Sequence, residues 1–437
     1  MKEEVKKQIG GFSEIGKTGL DHTAGEIYEE KLRHLQKFKR NLVYQEMIDN
    51  DATIGAVLFA IDMLMRRVDH TVKPYSEDAR HVEDKDFIES VFDDMNQPFK
   101  EVLSEIVGTM LPQGHAPMEM VFKQRDGTIP MSMIKPGTKP SSRFNDGLIG
   151  LHKLSLRSPE TIDKWNFDEN GELLGFTQRA APKYEDVEIP IWKVLLFRTS
   201  AKKNNPEGRS VLRTAYRSWF FKKRIENLEA IGIERDLAGL PMAMVPPEIM
   251  SPNAGDQEKT IFNEVKRIVT NIRRDEQEGV VFPMIRDENG NLLYELKLLS
   301  TGGSRQFKTT DTINRYRQDI AMSVLADFIL IGHEKVGSFS LASSKTSIFT
   351  MALKSWLDMI AEIINRKLIP MLFHLNGKPL DELPYLEFED VETVDLNELG
   401  GFITALSGAG IDLTGERAQN YIKSQANIPL DGDGEGA

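Results

Sequence analysis

The 437 residues carry 67 acidic and 55 basic side chains, a formal net charge of −12, and contain no cysteine. The length allows two or three domains or one elongated subunit with several subdomains, and 40% hydrophobic with 28% charged residues is an ordinary globular composition. Disulfides, thiolate catalysis and Cys-ligated metal centres are excluded, tight wrapping of nucleic acid is disfavoured by the acidic balance, and no apolar run reaches the about 18 residues that a membrane helix needs. Met1 to Lys7 is charged and no apolar stretch follows it, so no secretion signal is expected.

Residues 1–43 are polar and Lys-rich, with Gly10, Gly11, Gly16 and Gly25 scattered among them, and are expected to form a flexible arm. Ile54, Val57, Leu58, Ile61, Leu64 and Met65 then recur at helical spacing behind an Asp51 or Thr53 cap. A second helical stretch, Asp86 to Val107, is expected to break near Pro98. Strand patterns follow at Met118 to Lys123, Leu151 to Leu156, the hairpin-like Ile162 to Gln178 around Asn170-Gly171, and the apolar run Ile189 to Phe197. Helices and strands in this order predict an α+β body.

Gly208 to Leu237 is the most strongly helical segment, bounded by Pro206 and Gly239. At ~1.5 Å per residue it would span roughly 40–45 Å, long for a globular helix. Leu240 to Lys308 reads as a small α/β module: a strand at Pro241 to Val245, a helix at Gln257 to Arg274, and strands Gly279 to Met284 and Leu292 to Leu298 around Asn289-Gly290. A second long helix is predicted from Thr310 to Ile331, a loop from Gly332 to Ser344, and a helix from Lys345 to Phe373. A strand at Tyr385 to Val391, weaker helices at Asn397 to Ala409 and Glu416 to Ser424, and an acidic Gly-rich tail from Asp431 complete the chain.

Gly11 to Thr18, GFSEIGKT, satisfies the P-loop pattern. The motif needs a buried strand ahead of it and a helix behind it; the preceding MKEEVKKQIG is charged, so the match is read as coincidence, with a P-loop NTPase kept as the alternative. Glu387, Glu389, Asp390 and Glu392 interleave with Leu386, Phe388 and Val391 and read as a solvated strand face. His115, His152, His333 and His374 show no metal-ligand spacing, and no GxSxG elbow is present, so no catalytic residue, metal or cofactor is assigned.

On the long helix, Arg209, Arg213, Arg217 and Arg224 fall near one face, with Lys222 and Lys223 close by and no acidic residue from Arg209 to Arg224. Leu212, Tyr216, Trp219 and Phe220 supply an apolar side. The basic face is either solvated or aimed at a neighbouring subunit's carboxylates or at DNA phosphates. The thirteen or so residues of the Gly332 to Ser344 loop exceed the usual ~2–8 of a helix connection, which tilts that loop toward function.

Three local patterns resemble the portal proteins of tailed bacteriophages, particularly the Mu-like class. Trp165-x-Phe167 with Asn170-Gly171, then Ile189-Pro190-x-x-Lys193, resembles the paired strands before the family's long helix. Asn205-Pro206-x-Gly208-x-x-Val211-Leu212-Arg213-x-x-Tyr216-x-x-Trp219-x-x-Lys222 is similar to its helix-opening signature, and Gly337-Ser338-x-Ser340-Leu341-Ala342 resembles the segment before its last long helix. The resemblance spans roughly Tyr44 to Leu430 in architecture. It implies a non-enzymatic homo-oligomeric ring, usually a dodecamer, at one capsid vertex of the virion after assembly in the host cytoplasm. The ring would pass double-stranded DNA in packaging and ejection and meet terminase, a head–tail adaptor and capsid protein; another head or neck ring protein is the structural alternative.

By segment the resemblance implies a wing (44–207 and, after the tunnel loop, 345–395 with the long helix), stem helices at 208–238 and 309–331, a clip at 239–308, a tunnel loop at 332–344, a short crown at 396–430 and a disordered tail at 431–437. His333, Lys335, Gly337, Ser338, Ser340, Ser343, Ser344 and Lys345 would face DNA, and Arg209, Arg213, Arg217 and Arg224 would form the stem's basic face.

Overall fold

The structure is a computed structural model. It describes residues 16–127, 142–238, 240–271, 286, 290, 292, 294–299, 309–324 and 339–391, with the backbone alone described at 233–238, 240, 241, 271, 298, 299 and 339–347. The chain divides into two compact units, Met1–Ala215 with Ile320–Ala437, and Tyr216–Asp319. Helices and strands mix throughout, as the α+β expectation had it.

The first unit is built on an antiparallel sheet in the order β5 (Ile149–Leu156), β4 (His115–Gln124), β9 (Val194–Arg198). Helices α1 (Phe38–Asn50) and α2 (Ala52–Arg67) are separated by Asp51, whose carboxylate accepts the Thr53 and Ile54 N–H groups at 3.0 and 3.2 Å and so caps α2. The expected break near Pro98 lies between α3 (Ala79–Asp93) and α4 (Phe99–Gln113), because proline cannot donate to a preceding turn and is at ease just before a helix. α8 (Phe339–Ile363) runs through a π-helical turn, Ile364–Leu368, into α9 (Ile369–Leu375). β12 (Tyr385–Phe388) pairs antiparallel with β3 (His70–Lys73).

These elements enclose one core. Ile61 and Met65 of α2, Ile106 and Met110 of α4, Met118 of β4, Leu195 and Phe197 of β9, Leu353, Leu357 and Ile360 of α8, and Leu386 and Phe388 of β12 all belong to it. A smaller core of Trp165, Phe176, Ile189, Val194 and Leu196 lies against a second antiparallel sheet of β6 (Ile162–Phe167), β7 (Leu173–Arg179) and β8 (Asp186–Pro190). The apolar run Ile189 to Phe197 is therefore not one strand. A 3₁₀ turn at Ile191–Lys193 hands the chain from β8 to β9 in the other sheet. The alternation on β12 leaves Glu387 outside while Leu386 and Phe388 are buried, and Glu389 and Asp390 are exposed, as a solvated face requires. Glu392 lies outside the described residues.

The supposed arm differs from expectation where it is described. A two-strand hairpin, β1 (His22–Thr23) and β2 (Glu26–Ile27), leads through a 3₁₀ turn that buries Leu35 into α1. Gly25 (φ +85°) accepts the Trp165 N–H on its carbonyl at 2.9 Å, and a Cβ there would stand 2.6 Å from the Trp165 carbonyl oxygen. Residues 22–43 are thus fastened to the first unit; residues 1–15 lie outside the described residues.

In the second unit, most of α5 (Leu212–Ala238) pairs antiparallel with α7 (Thr309–Met322) up to Asp319. Ser218 Oγ donates to Asp319 Oδ2 at 3.3 Å, the Phe221 and Tyr316 rings stack at 6.4 Å, and Thr309 donates to Glu229. Between them lie β10 (Leu240–Met244) and β11 (Glu295–Leu299), paired antiparallel, and α6 (Asp256–Asn271), where Glu258 reaches back to accept the Gly255 N–H at 2.7 Å. The predicted strand Gly279 to Met284, residues 325–338, and everything after Val391, including both predicted C-terminal helices and the tail, lie outside the described residues. The last long helix begins at Phe339, so the predicted loop is shorter at its end than Ser344.

Candidate functional site

The signature Asn205-Pro206-x-Gly208 builds a joint at the root of α5. Asn205 Oδ1 accepts the Glu207 N–H at 2.9 Å, Gly208 takes φ +56°, and the Ser210 hydroxyl accepts the Leu212 N–H at 3.0 Å as the cap of the helix. The four residues from Gly208 to Val211 are spent on this turn, so the helix opens at Leu212 instead of Gly208. Opposite stands Gly114 (φ +96°), which ends α4. A Cβ on Gly208 would come within 2.1 Å of the Gly114 carbonyl oxygen, and one on Gly114 within 2.5 Å of that of Glu207. Thr199 N–H donates to the Gly114 carbonyl at 3.0 Å and Val211 N–H to that of Leu111 at 3.0 Å, while the Thr199 hydroxyl accepts the Arg209 N–H at 3.1 Å. α4, β9 and α5 meet there backbone to backbone.

Charged side chains lock the joint. Arg40 Nη1 donates to Glu207 Oε2 at 2.6 Å, with side chains 16% and 20% exposed, and Trp165 Nε1 donates to Glu207 Oε1 at 3.4 Å. Burial opposes ionisation of Glu207, but the Arg40 guanidinium outweighs it and holds the carboxyl below its ordinary range. His115 Nδ1 lies 3.1 Å from the Glu207 carbonyl oxygen; burial first, then the charge of Arg40, push its imidazole down to about 4, so it is neutral and donates there. Tyr44, in hydrogen-bond contact with Ser210, has its phenol pushed up by burial. Arg213 grips Glu30 through Nε and Nη2, the latter at 3.0 Å. A cleft of about 320 Å³ beside these pairs is lined by both signs of charge, among them Glu30, Lys37, Arg40, Glu207 and Arg213. Lys37–Glu26 at 2.5 Å belongs to the same set of fasteners.

The four arginines expected on one face separate. Arg209 precedes the helix and is exposed, Arg213 is paired with Glu30, and Arg217 and Arg224 face solvent, Arg217 lying 5.9 Å from the Phe221 ring. Lys222 is buried, 3.9 Å from Glu226. His333, Lys335, Gly337 and Ser338 lie outside the described residues; Ser340, Ser343, Ser344 and Lys345 fall on the first two turns of α8. The residues of the joint for which the sequence suggested no role are Arg40, Tyr44, His115, Thr199 and Glu207. Trp165 and Gly208 had been noticed, but only as letters of a pattern.

Catalytic arrangements are scarce among the described residues. Gly16 to Asp21 is not helical and leads into the β1–β2 hairpin, so Lys17 and Thr18 do not open the helix that a P-loop requires, and Lys17 Nζ lies 3.5 Å from the Glu169 carbonyl oxygen. Ser76, His81 and Glu382 form a hydrogen-bonded row at 2.7 and 3.2 Å, but Asp78 Oδ2 stands 3.1 Å from the same hydroxyl, where a carboxylate would oppose any developing oxyanion. That row ties the start of α3 to the turn before β12. No group of three His, Asp or Glu able to hold a metal occurs among the described residues, and no helix among them is long and apolar enough to cross a membrane.

The geometry therefore offers a closely packed turn at the start of α5 and an antiparallel pair of long helices, in a chain of net negative charge. Residues 42–428 match the family described as "Portal protein of Mu bacteriophage". Among solved structures, a chain of "Neck of empty GTA particle computed with C6 symmetry" shares the fold with a TM-score of 0.55 at 11% identity, over 97% of this chain and 99% of that one. A chain of "Neck of native GTA particle computed with C12 symmetry" gives a TM-score of 0.52 at 11% identity, over 89% and 93%. At this identity the likeness is one of fold. The family match runs over most of the first unit and over both long helices, and with it the chain belongs to the portal protein family of bacteriophage Mu.

Proposed function

We propose that this portal protein is the subunit of a closed ring at one capsid vertex, a channel through which double-stranded DNA enters during packaging and leaves at ejection. The observation that carries the reading is the antiparallel α5–α7 pair within a chain that matches the portal family from residue 42 to 428. Two long helices per copy can line a channel while packing sideways, and heterologous contacts that close make a ring. The two particle necks whose chains share this fold have C12 and C6 symmetry, which favours twelve copies here.

In this reading α5 and α7 are the stem, and the strands and α6 between them are the clip that meets terminase and later the head–tail adaptor. The first unit is the wing, facing capsid protein, and residues after 396 form a short crown. The segment from Gly332 to the opening turns of α8 is the DNA-facing loop, with His333, Lys335, Gly337 and Ser338 ahead of Ser340, Ser343, Ser344 and Lys345. Net charge −12 suits a conduit, since it repels DNA from most of the wall and leaves only local contacts. No residue is assigned to catalysis; the energy of packaging comes from another protein.

Removing His333 to Ser338 tests the loop. Particles built with the shortened chain should contain rings of normal mass and fail to package or retain DNA; normal packaging would remove the DNA-facing role. The mass itself should be about 590 kDa, twelve copies of the 49.5 kDa chain.

A further inference from the structure

The cleft of about 320 Å³ at the root of α5 lies within the first unit, between residues 27–44, the end of α4 and the segment 200–213. Its carboxylates are already answered inside the chain. Glu30 is held by Arg213, Glu207 by Arg40 at 2.6 Å, and Glu29 accepts Lys203 Nζ and the Asp21 N–H, each at 2.9 Å. Lys31 and Lys37 on the wall are paired with Asp21 and Glu26, which do not line it.

The groups left over are two cations, a buried donor and a buried amide. Lys202 and Arg209 are exposed, and neither side chain makes an ion pair or hydrogen bond among the described residues. Arg40 spends Nη1 on Glu207, while its Nε is buried without an acceptor. Gln113, also on the wall, is 8% exposed, and its Oε1 is buried without a donor. An unpaired buried amide costs stability, and the last torsion of glutamine is soft, so a small turn presents the amide to the cleft.

These groups select one class of ligand. Lys202, Arg209 and Arg40 Nε call for negatively charged oxygens, and in a chain of net charge −12 a concave surplus of positive charge draws anions in. Gln113 adds a hydroxyl or an uncharged oxygen of the ligand, according to which end of its amide faces the cleft. The volume suits a small molecule, being at the lower end of the ~300–1,000 Å³ of such sites. Duplex DNA is too stiff to follow, because phosphates on its convex surface cannot reach mostly buried Arg40 and Gln113.

We propose that this cleft binds a small multivalent oxyanion, a phosphate or polycarboxylate of metabolite size, held by Lys202, Arg209 and Arg40 and oriented by Gln113. The site is complete in one chain, so the proposal stands or falls independently of the ring. Bound there, the anion would bridge the segment 200–213 to α1 and to the end of α4, and so brace the turn that roots α5.

Isothermal titration calorimetry of the full chain with pyrophosphate and, separately, with citrate tests it, at an ionic strength fixed with sodium chloride. At least one anion should bind, at one site per chain; binding of one alone tells phosphate from carboxylate, and binding of both assigns oxyanions in general. Lys202→Ala with Arg209→Ala should weaken that binding about tenfold or more and leave the melting temperature of the ligand-free chain unchanged. Gln113→Leu should weaken it as well while raising the melting temperature of the ligand-free chain, the opposite of what losing a structural hydrogen bond does. No heat from either anion at millimolar concentration would mean that the cleft holds water alone, and would overturn the proposal. Undiminished binding in the Lys202→Ala, Arg209→Ala chain would overturn it too, since the anion would then sit elsewhere.

Discussion

Arg213 and Arg217 stand four residues apart on α5 and meet opposite fates. Arg213 grips Glu30 beside a joint where glycine backbones touch and Arg40 holds Glu207; Arg217 and Arg224 point into solvent among Phe220, Leu228 and Ile231. The root of the helix is held by ion pairs within the chain, and on the outer stretch both arginines are exposed. Substitutions should therefore divide: changes at the root cost stability of the single chain, whereas changes at the exposed arginines leave that stability nearly unchanged.

The largest effect is expected at Gly208→Ala. The left-handed backbone disfavours a side chain by ~1–2 kcal/mol and the collision with the Gly114 carbonyl adds ~1–3, so roughly 2–5 kcal/mol should be lost, read from the denaturant midpoint of the first unit. Next comes Arg40→Met, which strands the mostly buried Glu207 carboxylate and should cost about 3 kcal/mol. Adding Glu207→Gln should recover part of that loss, because the unpaired charge is then gone. Equal losses in the single and double variants would break the account of the pair.

A pH titration sharpens the same contrast. His115 has its folded value depressed to about 4 from an unfolded value near 6.5, so below 6.5 the unfolded chain binds the extra proton and stability falls as pH drops toward 4. The loss attributable to this group is about 3 kcal/mol, and His115→Gln should flatten the slope in that window. Glu207 and Glu30, held below their ordinary range in the fold, add a further loss at lower pH as they become protonated. The smallest effects are expected away from the root: Arg217→Ala and Lys17→Ala should leave the stability of the single chain within ~0.5 kcal/mol, and Lys17→Ala should change no nucleotide affinity. A stability loss at Arg217 comparable to that at Arg40 would erase the distinction between the two stretches.

Periodicity made α2, α5, α6 and the paired strands β6 and β7 legible, because burial on one face repeats at a fixed spacing. What periodicity cannot see is a partner far along the chain. Arg213 shared a stripe with Arg217, and only Glu30, 183 residues earlier, separates them. Residues 22–43 looked like an arm because their fasteners are polar: Glu26, Glu29 and Glu30 pair with Lys37, Lys203 and Arg213, with Leu35 as the buried exception. The run Ile189 to Phe197 hid a change of sheet, since strands buried on either side of a short turn are continuous in hydrophobicity. α8 starts earlier than its apolar spacing suggested because its first turns are Ser-rich, compatible with helix without marking a face. Asn205-Pro206-x-Gly208 was visible as a signature, and the structure gives its reason in the turn that roots α5.

The central claim, that α5 and α7 of many copies close into a channel, is tested most directly by electron microscopy of the purified full-length chain with averaging of end-on views. The account predicts a ring with a central hole and a side view tapering to a helical stem. Separate single subunits, or closed particles without a hole, would contradict it.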